Sequence, residues 1–129
     1  MSSKDTKNAL LLEGLNDMLS LGWIEQTVGT VEGKERNDPS LVQSVAEAIQ
    51  ELLEANFAIA GNVVKDPADG LLMVRAWGLT SDATVERILR ERNELDGPAR
   101  ASLVWLELTD RGRVEAQKLA AAGCNPFAK

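Results

Sequence analysis

The sequence predicts a single α+β domain. Three observations carry that expectation. Segments with apolar residues at helical spacing alternate with short β-rich runs such as Leu103–Leu108. Gly, Pro and Asp clusters punctuate the boundaries between them. The length, 129 residues, suits one domain and is enough to bury one core without disulfides or metals.

The first periodic segment is Ala9 to Leu21, where Leu11, Leu12, Leu15, Met18 and Leu19 recur at helical spacing and Gly22 stands as a C′ residue. Trp23, Ile24 and Val28 form a short apolar patch that fits a strand or one helical turn, and Gly29 to Asp38 reads as a loop. The strongest helix runs from Asp38 or Pro39 to about Asn56. Asp38 suits the N-cap and Pro39 the first helical position, while Val42, Val45, Ile49, Leu52 and Leu53 form one stripe. Phe57 to Val64 reads as a strand interrupted near Gly61. Lys65–Gly70 is a turn, and Leu71 to Trp77 is a second strand or extended segment. A third helix spans Ser81 to about Leu95, capped by Thr80 or Ser81 and stopped by Asp96-Gly97-Pro98. Leu103–Leu108 is a strand expected to pair antiparallel with Phe57–Val64. Thr109 caps a last helix, Asp110 to about Ala122. Residues 1–8 and 123–129 are expected to be flexible.

Composition narrows the chemistry. The chain has no His and no Tyr, so Ser–His and Cys–His nucleophile pairs are excluded, as are zinc sites that need His. Cys124 is the sole cysteine; it cannot form an internal disulfide, and it fits a reducing cytoplasm. The opening residues Met1-Ser2-Ser3-Lys4-Asp5 lack the apolar run of a signal peptide, and no stretch approaches a membrane span. A cytoplasmic non-enzyme with no metal or cofactor is the expectation. Asp66 and Asp69 read as turn formers, and Gly29, Gly33 and Gly61 do not make a phosphate loop. Trp23, Trp77 and Trp105 read as packing residues.

The formal net charge is −6. Residues 1–79 carry 12 acidic and 6 basic side chains, whereas residues 80–129 carry 8 of each, so the first part holds the whole imbalance. Nucleic acid and anionic membrane repel such a surface, and a basic protein is the favoured partner.

The order of elements and two local sequences resemble a winged-helix domain. Glu51 to Asn62 resembles the end of the second helix-turn-helix helix entering a wing strand. Leu106-Glu107-Leu108-Thr109-Asp110-Arg111-Gly112-Arg113 resembles the step by which winged-helix regulators leave the wing, the threonine capping the helix and the glycine permitting close packing. The fold implied is winged-helix-like, with a long excursion from Asp66 to Pro98 containing an extra helix inserted in the wing. From about Ala9 to Leu119 the chain also resembles small actinobacterial-type proteins, some of which look like toxin-immunity proteins.

In a DNA-binding helix-turn-helix the second helix enters the major groove. Here that helix has no Lys or Arg and carries Glu47, Glu51 and Glu54 beside Gln43 and Gln50. These five residues are the candidate site for a basic protein partner, as in an immunity or inhibitor protein. The same stripe also suits an ordinary solvated face. The alternative is a DNA-binding regulator contacting nucleic acid through Arg87, Arg90 and Arg92, with Arg100, Arg111 and Arg113 beyond. Arg87 and Glu91, and Glu86 and Arg90, have the i,i+4 spacing of a salt-bridge-laced exposed helix. A third reading is a small adaptor that forms a homodimer through its first or last helix.

Overall fold

The computed structural model describes residues 4–127. Over these residues the chain is α+β, with six helices and a four-stranded antiparallel sheet. Helix α1 is Lys4–Gly14, strand β1 Leu19–Ser20, helix α2 Leu21–Glu32 and helix α3 Pro39–Glu54. Strands β2, Ala58–Lys65, and β3, Leu72–Ala76, form a hairpin. Helices α4, Ser81–Arg92, and α5, Gly97–Ala101, precede β4, Trp105–Leu108, and α6, Asp110–Ala121. The sheet order is β1-β4-β2-β3.

The expected pairing of the two main strands is present: Ala58 faces Leu108 and Gly61 faces Trp105. Val104, Leu106 and Leu108 of this segment are buried and point inward, while Trp105 and Glu107 between them are half-buried. Their inner face meets Leu10, Leu11, Leu21, Ile24, Ile49 and Leu52 from α1, α2 and α3, which together form the centre of one aliphatic core.

The first forty residues differ most from expectation. Helix α1 starts at Lys4 and buries Thr6 and Asn8, so residues 4–8 are part of the helical scaffold. It stops at Gly14, seven residues before the expected Leu21. The leucine periodicity runs on past the helix, but Asp17 turns the chain by accepting from the Met18 N–H at 2.7 Å, and Leu19 and Ser20 then pair with Leu106 and Trp105. Ser20 caps the next helix by accepting from Trp23 N at 3.2 Å, so Leu21-Gly22-Trp23 begins α2 instead of ending α1. Gly22 is placed there because a Cβ would meet Ala101 Cβ of α5 at 2.8 Å. Trp23, Ile24 and Val28 are helical, and α2 runs on through Gly29 to Glu32, ending at the left-handed Gly33.

Helix α3 follows the sequence closely. Asp38 accepts from Ser40 N at 2.8 Å, and Pro39 occupies the first turn. Asn56, with φ of 60°, makes the left-handed turn from which Phe57 N reaches Leu52 O at 2.9 Å. Strand β2 is continuous. Gly61 does not interrupt it; a Cβ there would lie 1.8 Å from Arg75 O, so the glycine lets the paired strand β3 approach β2 closely.

The Thr109–Gly112 step behaves as its sequence suggests. Thr109 accepts from Gly112 N at 3.1 Å and donates to Asn56 O at 2.6 Å, while its own N–H bonds Phe57 O at 3.0 Å. A Cβ on Gly112 would lie 1.9 Å from Phe57 O. One short motif therefore caps α6 and clamps it onto the α3–β2 turn. The third helix ends at Arg92 with Asn93 as its C-cap, short of the expected Leu95, so Asp96-Gly97-Pro98 does not stop it; Gly97 and Pro98 instead open the short α5. Of the segments expected to be flexible, residues 1–3 and 128–129 lie outside the described residues.

Candidate functional site

The geometry of α3 follows from its burial. Leu41, Val45, Ala48, Ile49 and Leu52 face the core, and Ala46 is also buried where α4 packs alongside. What remains is the arc carrying Gln43, Glu47, Gln50, Glu51 and Glu54, so the structure brings all five candidate residues onto one face. Of the three glutamates expected to be solvated, Glu54 is exposed, as is Gln43, whereas Glu47 and Glu51 are half-buried, as is Gln50. The Gln43 amide donates to Glu47 Oε1 at 3.1 Å, and the Gln50 amide donates to Glu54 Oε1 at 3.1 Å and to Asp82 Oδ1. The hydrogen bond from Gln43 holds the Glu47 carboxyl below its ordinary range. Asp82, in the first turn of α4, thus joins the stripe from 32 residues away in sequence. Spacing could not reveal it, because the contact exists only once α4 packs on α3.

The arginines of α4 turn to different neighbours. The Arg87 guanidinium lies 3.8 Å from the centre of the Trp77 ring, and its Nε donates to Glu91 at 2.7 Å, the anticipated i,i+4 pair. Arg92 is only 14% exposed and faces Glu25 of α2 at 3.8 Å. Arg90, at 63% exposed, projects into solvent with Glu91 at 3.8 Å. Beyond the helix, Arg100 Nε donates to Leu95 O at 2.7 Å, Arg111 lies over the Phe57 ring, and Arg113 faces Glu107 at 3.8 Å.

The remaining candidates have local roles. Asp66 accepts from Ala68 N at 2.8 Å and Asp69 from Leu71 N at 2.9 Å, the hydrogen bonds of turn-forming aspartates. Cys124 is half-buried, with the Asn8 amide of α1 at 3.9 Å from its sulfur. Trp77 donates from its indole to Asn62 at 2.8 Å, whereas Trp23 is 46% exposed on α2.

A polar network ties α1, α2 and α3 together. Thr6 donates to Glu32 at 2.7 Å, Lys34 pairs with Glu32 at 3.1 Å, and the Lys34 ammonium donates to Ser44 at 2.7 Å. Burial pushes the Glu32 carboxyl upward, but hydrogen bonds from Thr6, Ser44 and Lys34 and the Lys34 charge outweigh it and hold the group low.

Beside this network lies a cavity of about 460 Å³ between α2, the loop after it and α5. Its wall carries Lys34, Arg36, Arg92 and Arg100 with Glu25 as the one carboxylate. Sequence reading missed it. In sequence Arg92 and Arg100 fit the alternative nucleic-acid contact, and Lys34 and Arg36 lie in the stretch from Gly29 to Asp38 that has the composition of a loop. The four cations come from three separate stretches of chain, so no motif marks them.

Among the described residues, no group of three His, Cys, Asp or Glu is placed to hold a metal ion, and no helix is long and apolar enough to cross a membrane. No family model, no curated protein and no solved structure matches the chain.

Proposed function

We propose that this protein is a non-enzymatic binding module on a winged-helix-like scaffold, and that α3 presents its acidic face to a basic protein partner. The concrete form of the reading is an immunity or inhibitor protein that masks a basic toxin domain in the cytoplasm. The observation that carries it is the composition of the outer arc of α3: Glu47, Glu51 and Glu54 with two amides on a helix that contains no Lys or Arg, extended by Asp82 across the α3–α4 contact. A partner with Lys or Arg at matching positions would gain charge-assisted hydrogen bonds and electrostatic steering. The absence of His and Tyr from the sequence favours binding over catalysis.

A DNA-binding regulator is the second reading, and the strand order β1-β4-β2, with α2 packed on α3 between β1 and β2, favours it. Charge opposes it, since phosphate binding rests on Lys or Arg replacing counterions. Changing Glu47, Glu51 and Glu54 together to Lys tests both readings. The expected result is that wild-type bait retains a basic protein from its native extract at about 0.15 M salt, that the triple variant loses it, and that far-UV circular dichroism is unchanged. A sequence-specific gel shift at nanomolar protein, far tighter than the roughly 10⁻⁴–10⁻⁶ M of non-specific binding, would overturn the proposal in favour of the regulator.

A further inference from the structure

The cavity beside α2 reverses the sign of the molecule. On a chain of net charge −6, four cations and one carboxylate line a single concave site. Gathering like charges costs Coulomb energy unless counter-charges are supplied. The protein supplies two: Glu25 faces Arg92 at 3.8 Å, and Glu32 faces Lys34 at 3.1 Å. Arg36 and Arg100 receive none. Arg36 is exposed and has no ion-pair partner among the described residues. Arg100 gives its Nε to the Leu95 carbonyl at 2.7 Å, a contact that fixes the guanidinium plane and leaves the two terminal amino groups for another acceptor.

We propose that this cavity binds a small phosphate ester without an aromatic base. A planar guanidinium held at one edge matches the bidentate geometry of phosphate, and Lys34 and Arg36 add charge from the facing loop. The volume, about 460 Å³, falls within the range of small-molecule sites, roughly 300–1,000 Å³. No aromatic side chain lines the wall, so nothing there would stack a base, whereas Gln26 and Thr30 offer hydrogen bonds to hydroxyl groups. Gly22, Gln26 and Gly29 lie at i, i+4 and i+7 on α2, so one helix face forms the floor with little side-chain bulk. The site lies apart from the acidic face of α3 and stands whether or not that face binds a protein.

The test is a ¹H–¹⁵N NMR titration of the full chain at constant ionic strength. The probes are glucose 6-phosphate, glycerol 3-phosphate, sodium phosphate, AMP and sodium chloride, with the Gly22, Gly29 and Gly97 amides as reporters. One of the two esters is expected to give saturable shifts at these glycines, with inorganic phosphate weaker at the same amides and chloride silent. Arg36→Glu, at an exposed residue without partners, is expected to leave the spectrum folded and weaken the ester by at least about tenfold. Arg100→Gln should weaken it by a similar factor. The proposal is overturned if neither ester saturates by about 10 mM, or if Arg36→Glu binds as wild type does. Inorganic phosphate binding as tightly as the esters would assign the site to the free ion instead. AMP binding more than about tenfold tighter than either ester would show that a base is recognised after all.

Discussion

Replacing Gly112 with Ala tests the clamp between α6 and the α3–β2 turn. In an open helix the change would be favourable, since Ala exceeds Gly in helix propensity by about 1 kcal/mol. Here the added Cβ would lie 1.9 Å from Phe57 O and 2.8 Å from Phe57 C, and both are backbone atoms. Relief requires the two segments to part by more than an ångström. That movement stretches Thr109 N to Phe57 O, now 3.0 Å, and Thr109 Oγ1 to Asn56 O, now 2.6 Å, beyond hydrogen-bonding range. Two such bonds contribute about 0.5–1.5 kcal/mol each, and overpacking adds about 1–3 kcal/mol. After the propensity gain, a net loss of about 3 kcal/mol is expected, or about 10 °C in Tm for a domain of this size. Urea unfolding followed by tryptophan fluorescence and circular dichroism measures it. Gly29→Ala is the internal comparison, because its Cβ would meet Lys34 O at 3.0 Å and needs far less movement. If Gly112→Ala were neutral or stabilising, or cost no more than Gly29→Ala, the clamp would be refuted.

Thr109→Ala should cost about 1 kcal/mol by removing the N-cap of α6, and Thr109→Ser should recover most of it; a loss left unrecovered by Ser would point to the methyl group, not the hydroxyl. Asn56 has φ of 60°, so Asn56→Gly should be tolerated while Asn56→Ala destabilises by about 1 kcal/mol, read from urea midpoints. Glu32 titrates below its ordinary value in the folded protein, so its stabilising contribution is present above the unfolded pKa of about 4.3 and is lost as pH falls through the folded value. Stability measured from neutral to acid pH should therefore fall less steeply in Glu32→Gln than in wild type, and parallel curves would argue against the Thr6–Glu32–Lys34 network.

Sequence alone determined those parts of the molecule whose signals are local. Asp38-Pro39 started α3, Thr80 and Thr109 capped α4 and α6, and the Leu103–Leu108 run marked β4 as a strand, though not which of its faces is buried. Caps and alternation are written within a few residues, and the hydrogen bonds they form are with near neighbours. The same locality brought Gln43, Glu47, Gln50, Glu51 and Glu54 to one helix face. Tertiary structure decided the rest. Leucine periodicity continued from α1 through β1 into α2, and only the pairing of Leu19 with Leu106 broke it into three elements. Gly22 and Gly61 looked like a helix stop and a strand break, yet each is small because a neighbouring segment passes within contact distance. Asp82 joined the acidic face, and Lys34, Arg36, Arg92 and Arg100 came to one cavity, through packing of α4 and α5 on α2 and α3. Such contacts join positions far apart in the chain, and no period or spacing encodes them; they exist only where burial of apolar surface holds the elements side by side.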